Sequence, residues 1–71
     1  MQRTPVTSSD IASIGYDIDS SVLEIEFHSG GNVYQYFHVP QQEYDELMNA
    51  PSHGKYFNQN IKNKYQYEKI S

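Results

Sequence analysis

The sequence predicts an α+β fold, in which a three-stranded antiparallel meander is followed by two helices and a final C-terminal strand (β-β-β-α-α-β). Three observations support this fold class. Residues 11–37 largely alternate between apolar and polar side chains, as strands do. Glycine, aspartate and serine interrupt that alternation where hairpins would turn. Residues 40–61 instead carry apolar side chains at the three- and four-residue spacing of helices.

The central hairpin is predicted to turn at its glycine pair, residues 30–31, because glycine accepts the positive φ of tight hairpin turns. A two-residue turn places Phe27 opposite Tyr34 and Ile25 opposite Tyr36. A four-residue loop gives the same faces, whereas a slip of one residue would reverse them. We therefore expect both tyrosines in the core. The predicted core face holds Leu23, Ile25, Phe27, Tyr34 and Tyr36, and the opposite face holds Glu24, Glu26 and Gln35.

The first strand, residues 11–16, is predicted to add apolar side chains to the same face. This follows if Asp19 and Ser20 are the central residues of the turn that joins it to the hairpin. Two independent turn assignments then agree on one apolar face. The predicted pairs are Tyr16 with Leu23, Ile14 with Ile25 and Ala12 with Phe27.

Two helices and a strand are predicted after the meander. The first helix starts at a proline and covers residues 40–49, since proline is well tolerated in a first turn. Ser52 fits the N-cap of the second helix, and Phe57 and Ile61 form its apolar stripe. Residues 65–70 alternate again and predict a strand at one edge of the meander, without indicating which edge.

Length and composition favour one small folded domain over residues 1–71, with residues 1–7 disordered. Apolar residues make up 37% of the chain and the mean hydropathy is -0.79, but seven Tyr and three Phe provide large buried areas. The absence of cysteine excludes disulfides and thiolate zinc sites. Neither a signal peptide nor a membrane span is visible, so we expect a cytoplasmic protein.

The sequence predicts no catalytic residue, no cofactor site and no metal site. The three histidines, His28, His38 and His53, lack the spacing that brings metal ligands together, and the first two lie on opposite faces of the hairpin. Nothing resembles a nucleophile elbow or a phosphate-binding glycine loop. Binding functions are therefore favoured over an enzyme.

Charge is distributed unevenly along the chain, which is -4 overall. Residues 1–51 sum to -7, with Arg3 as their one base, whereas residues 52–71 sum to +3. A basic end of this kind can contact phosphates, although an ordinary solvated helix face would look the same. The candidate RNA contacts are Lys55, Lys62 and Lys64.

A second candidate surface is apolar and faces away from the predicted core. It would serve protein interaction or self-association, because exposed apolar patches often mark interfaces. The alternative is that the C-terminal segment or a helix end covers it. Its members are Val22, Val33, Phe37 and Val39.

Four segments together resemble the KTSC domain family. They read Ser-Ser-x-Ile-x-x-Ile-Gly-Tyr-Asp from Ser8, Leu-x-Ile-x-Phe-x-x-Gly from Leu23, Tyr-x-Tyr-x-x-Val-Pro from Tyr34, and Ala-x-Ser-x-Gly-x-Tyr-Phe-Asn-x-x-Ile from Ala50. The resemblance covers nearly the whole chain, and the central Tyr-x-Tyr is the family's hallmark. Members of this family occur at the C-terminus of some lysyl-tRNA synthetases and as short bacterial and phage proteins. The resemblance therefore implies a domain with no established activity and a suggested role in RNA binding.

Overall fold

The computed structural model describes residues 1–71 and shows an α+β fold with two helices and one antiparallel sheet of five strands. The strands lie across the sheet in chain order, so each pairs with its sequence neighbour. A short 3-10 turn lies between the third and fourth strands. The elements are β1 (Thr4–Pro5), β2 (Ile11–Asp17), β3 (Val22–Phe27), β4 (Val33–Tyr36), α1 (Gln41–Asn49), α2 (His53–Asn60) and β5 (Tyr67–Lys69).

The predicted meander, both helices and the C-terminal strand are present, and β1 is an additional strand that the sequence analysis did not predict. It lies within residues 1–7, for which we expected disorder, and it pairs Thr4 with Ile14 and Pro5 with Ser13. Proline suits this position because an edge strand does not need every N–H in the ladder. The last strand joins the opposite edge of the sheet, beside β4.

The central hairpin has the predicted faces but a different register. Ile25 pairs with Tyr34 and Leu23 with Tyr36, so the two-residue turn is wrong and the four-residue loop is correct. The Phe27 N–H donates to the Asn32 carbonyl at 2.8 Å and closes that loop. Its two glycines have φ of +71° and +63°, the left-handed conformation that glycine tolerates best. A shift of two residues preserves parity, which is why the core assignment survives.

The predicted pairing of Ala12 with Phe27 is wrong, because β2 contains a β-bulge at this point. Tyr16 and Ile14 have their predicted partners in β3, but the register then shifts and Ile11 pairs with Phe27. The bulge supplies one extra residue to β2. It brings the larger Ile11 fully into the core and leaves Ala12 half-buried, which removes more apolar surface from water.

Val39 was assigned to the outer apolar patch, and that assignment is wrong because the residue is fully buried in the core. β4 ends at Tyr36, and His38 has φ of +58°, so strand alternation no longer applies beyond that point. The backbone of Val39 is fixed on both sides: its N–H donates to the Ser21 carbonyl at 2.9 Å, and the Tyr16 hydroxyl donates to its carbonyl oxygen.

Both helices cover the same face of the sheet. Ser52 caps α2 as predicted, since its hydroxyl accepts the Lys55 N–H at 3.3 Å. Leu47 of α1 and Phe57 of α2 are buried against the strands. The core is the cluster Ile11, Ile14, Leu23, Ile25, Tyr36, Val39, Leu47, Phe57 and Ile61.

The other face of the sheet is covered by a polar network rather than left open to solvent. Glu24 is only 4% exposed and forms an ion pair with Arg3, while the Gln35 side chain donates to the same carboxylate at 2.9 Å. Arg3 also donates to the Ser13 hydroxyl, which in turn donates to Glu26 at 2.8 Å. Arg3 therefore holds the N-terminal segment against the outer face of the sheet.

Two glycine substitutions should have opposite outcomes. A Cβ at Gly15 would lie 2.6 Å from the Gln2 carbonyl oxygen, so Gly15→Ala must displace the N-terminal segment and its Arg3 contacts. We expect it to lower the free energy of unfolding by about 1–3 kcal/mol. A Cβ at Gly54 would lie 2.8 Å from a carboxylate oxygen of Asp10. The Asp10 side chain can rotate away from this contact, whereas the backbone carbonyl of Gln2 cannot.

Gly54→Ala is therefore the matched control, and we expect it to be neutral or stabilising because alanine favours helices by up to about 1 kcal/mol. Urea denaturation followed by circular dichroism compares the two variants. Equal stability of the wild type and the Gly15→Ala variant would contradict the close contact.

Candidate functional site

An open cleft of about 530 Å³ lies between α2 and the β3–β4–β5 half of the sheet. Its volume is within the range of roughly 300–1,000 Å³ typical of small-ligand pockets. Apolar rings form its floor and polar side chains form its rim. The five aromatic residues that line it, hereafter the aromatic cluster, are Phe27, Tyr34, Tyr36, Phe57 and Tyr67.

The aromatic cluster forms a closed cycle of ring contacts. Each ring touches two others, with neighbouring ring centroids 5.3–5.8 Å apart and mostly edge-to-face or tilted. Such geometry is the favoured one for aromatic pairs, each worth about 0.5–1.5 kcal/mol beyond area burial. The cycle joins β3, β4, β5 and α2, so the floor of the cleft is also part of the fold.

Tyr34 and Tyr36 lie on the core side of the sheet, as predicted. Tyr36 is 4% exposed and belongs to the core, while Tyr34 is half-buried against it. Burial raises the pKa of Tyr36 to about 12, and the neighbouring phenols of Tyr34 and Tyr67 add to that shift. Tyr36 therefore remains a neutral hydrogen-bonding phenol across the physiological range.

The rim of the cleft differs in charge along its length. Asp10 lies beside Gly54, in the first turn of α2, where a carboxylate is favoured by the helix dipole. Asn58 lines the cleft one turn further along, and Lys62 lines it just beyond the end of the helix. At 1.5 Å per residue, α2 separates its two ends by roughly 9 Å between residues 54 and 60.

The three lysines predicted to contact RNA do not form one cluster. All three are exposed, and Lys62 is the one that lines the cleft. Lys55 lies on the solvent side of the first turn of α2. Lys64 lies elsewhere, because its ammonium group is 3.2 Å from the Glu43 carboxylate. The structure thus brings one of the three to the aromatic cluster.

Glu43 is a buried carboxylate with three donors. It is 8% exposed and accepts hydrogen bonds from the Tyr56 hydroxyl, the Tyr65 hydroxyl at 2.8 Å and Lys64. Burial alone would raise the pKa of Glu43, but these three hydrogen bonds outweigh it and lower the pKa. The same contacts, with burial, raise the pKa values of both tyrosines. This network ties α1 to α2 and to the segment before β5.

The predicted apolar interface is mostly absent as a surface. With Val39 in the core, Val33 is also buried, and Val22 and Phe37 are half-buried. The C-terminal residues contribute to this cover, since the Val33 N–H donates to the Ser71 carbonyl at 3.0 Å and the Ile70 N–H donates to the Val33 carbonyl.

The histidines have structural contacts rather than a shared site. His28 Nε2 is 3.0 Å from the Ser8 carbonyl, and His53 Nδ1 is 2.9 Å from the Leu47 carbonyl. No group of three histidine, cysteine or acidic side chains is positioned to hold a metal ion. The helices are also too short and too polar for any of them to cross a membrane.

Sequence reasoning missed the cleft because it could not place β5. Tyr67 completes the aromatic cluster only when the last strand lies beside β4. The one available signal was the tyrosine alternation at Tyr65-Gln66-Tyr67, which echoes Tyr34-Gln35-Tyr36 but indicates no partner strand.

Comparisons with known proteins agree on one family. The model of the KTSC domain matches residues 7–65. A lysine–tRNA ligase of Nostoc punctiforme is 44% identical over 63 residues, which is 89% of this chain but 11% of the ligase. The chain thus spans about a ninth of the length of that relative. An uncharacterised protein of Stutzerimonas stutzeri is 41% identical over 99% of both chains.

A solved structure shows the same fold. The crystal structure of a KTSC domain protein from Yersinia pestis has a TM-score of 0.94 and 47% sequence identity, covering 99% of this chain and 97% of that one.

The Glu43 network predicts a loss of stability in acid. The pKa of Glu43 is lower in the folded chain than the usual carboxyl value of 4.5. The ionised carboxylate therefore stabilises the fold above pH 4.5, and this stabilisation is lost as pH falls through the folded pKa. We expect Glu43→Gln to cost about 1–3 kcal/mol at neutral pH and less in acid. Urea denaturation over a pH series measures this.

Glu46→Gln is the matched control, because Glu46 is exposed on the same helix. A cost for Glu43→Gln that is the same at neutral and acid pH would contradict the predicted linkage.

Proposed function

The chain belongs to the KTSC domain family, and from that premise we propose that it is a small non-catalytic module that binds RNA. The single observation that carries this proposal is Lys62, the one basic residue on the rim of a cleft floored by the aromatic cluster. Single-stranded RNA is bound by the same combination, with cations near phosphates and bases stacked on aromatic rings.

The relatives support the choice of RNA as partner. A domain that occurs as a small part of lysine–tRNA ligases is attached to a protein that handles tRNA. Net charge argues against binding through the whole surface, since the chain is -4 overall. Binding would therefore depend on the local positive charge of Lys62 and Lys55, with Lys64 contributing less because it is paired with Glu43.

No arrangement of the structure favours catalysis. The cleft contains one carboxylate, Asp10, and no histidine. The hydroxyls of Tyr56 and Tyr65 both donate to the Glu43 carboxylate, so these three titratable groups are satisfied by one another. We therefore propose binding rather than chemistry.

Salt dependence tests the RNA proposal. We expect labelled single-stranded RNA to bind at low salt and to weaken as salt rises, because each neutralised phosphate releases counterions. Lys62→Gln should lower the slope of log affinity against log salt by about 0.7, the value for one single-strand phosphate contact.

Lys64→Gln is the charge-matched control and should change the slope less, since its ammonium is already paired. Absence of binding at low salt would refute the RNA proposal, and equal effects of the two substitutions on the salt slope would contradict the assignment of the phosphate contact to Lys62.

Interaction with protein, or self-association, is a second candidate that one observation favours. Tyr67 and Ile70 are 58% and 45% exposed on or beside the edge strand β5, and free edges can pair with another chain. This strand has three residues and carries Glu68 and Lys69, which disfavour such pairing.

We therefore expect a monomer in sedimentation velocity over a wide concentration range. An increase of sedimentation coefficient with concentration that Ile70→Lys abolishes would establish the self-association alternative instead.

A further inference from the structure

One residue lining the cleft carries a hydroxyl that makes no hydrogen bond within the chain. Tyr36 is only 4% exposed. The tyrosine hydroxyls that donate hydrogen bonds within the chain are those of Tyr16, Tyr56 and Tyr65, and the Tyr36 hydroxyl does not. Every fully buried side-chain nitrogen or oxygen has a partner, so the unpartnered Tyr36 hydroxyl keeps some exposure, and Tyr36 lines the cleft. A deeply placed phenol that faces a cleft can read the edge of a ligand.

One exposed ring of the aromatic cluster offers a stacking face to the same ligand. Tyr67 is more than half exposed, and Tyr34 is half-buried beside it with the ring centroids 5.8 Å apart. The other three rings are held by edge contacts within the floor. Because the ring planes of Tyr34 and Tyr67 lie at 53° to each other, a planar ligand would stack on the exposed Tyr67 alone, with its edge toward Tyr36.

The charges on the rim define the rest of the ligand. Lys62 at one end suits an anion, and the Asp10 carboxylate at the other accepts hydrogen bonds from hydroxyl or amino groups. An aromatic cage for a cationic ligand has the same rings, but the ammonium group of Lys62 on the rim would repel it. A planar base linked to a phosphate matches both ends of the cleft.

We propose that the cleft binds one nucleobase, stacked on Tyr67, hydrogen-bonded at its edge by the Tyr36 hydroxyl and followed by a phosphate at Lys62. This inference deepens the proposed RNA-binding function and rests on it for the source of the base. The same chemistry is present in a free nucleotide, so both sources enter the test.

The test compares three probes on the full chain: a short single-stranded adenosine oligoribonucleotide, an abasic strand of equal length, and adenosine monophosphate. Binding is followed by tyrosine fluorescence, which is unobscured because the chain contains no tryptophan. We expect the strand with bases to bind more tightly than the abasic strand by at least about 5-fold, the low end for one stacked base.

Tyr36→Phe is the decisive variant because it keeps the ring and removes the hydroxyl alone. It should weaken the strand with bases by about 3- to 10-fold and leave the abasic strand unchanged. Tyr67→Leu should weaken the strand with bases by at least about 5-fold. Circular dichroism confirms that each variant is folded before it is titrated.

The outcomes separate this inference from the function it rests on. Equal binding of both strands overturns the base site and leaves RNA binding through lysine intact. If neither strand binds but the monophosphate does, with a loss in Tyr36→Phe, RNA binding fails and the cleft is a free-nucleotide site. If no probe binds, or if Tyr36→Phe changes nothing, the base site is overturned.

Discussion

The contact cycle of five aromatic rings is the constraint on which the rest of the structure depends. It draws one ring or more from each of β3, β4, β5 and α2, so the strands cannot shift register without breaking it. A chain of 71 residues buries only a modest core. Concentrating large rings at the junction of four elements is an efficient way to stabilise such a core, and it leaves one face of the cycle open as the cleft.

Two polar networks complement this apolar junction and keep charges away from it. On the outer face of the sheet, Arg3 pairs with Glu24, whose pKa is raised by burial but lowered overall by hydrogen bonds from Gln35 and Arg3. Near the helices, Glu43 gathers two phenols and Lys64. The two networks pair Arg3 and Lys64 with carboxylates. Lys62, the one basic residue lining the cleft, belongs to neither network.

Strand alternation predicted much of the fold because parity is insensitive to errors of two residues. The hairpin register was wrong, yet Tyr34 and Tyr36 still faced the core, since a four-residue loop preserves the side of every residue. The prediction failed where strand alternation stops. At the bulge in β2, Ile11 rather than Ala12 pairs with Phe27, and beyond Tyr36 the positive φ of His38 lets Val39 face the core.

The candidate site was less predictable than the fold. Lys62 was identified from charge, but its neighbours on the cleft come from strands far apart in sequence. Which edge β5 joins is a long-range choice that local patterns do not encode, so the ring contributed by Tyr67 could not be foreseen.

Chemical-shift mapping of the isotopically labelled chain, titrated with single-stranded RNA, tests most directly the claim that the aromatic junction is also the binding surface. The largest changes are expected in the side-chain signals of Tyr34, Tyr36 and Tyr67 and at Lys62. Changes confined to the surface around Glu43 and Lys64, with the aromatic cluster unperturbed, would contradict it.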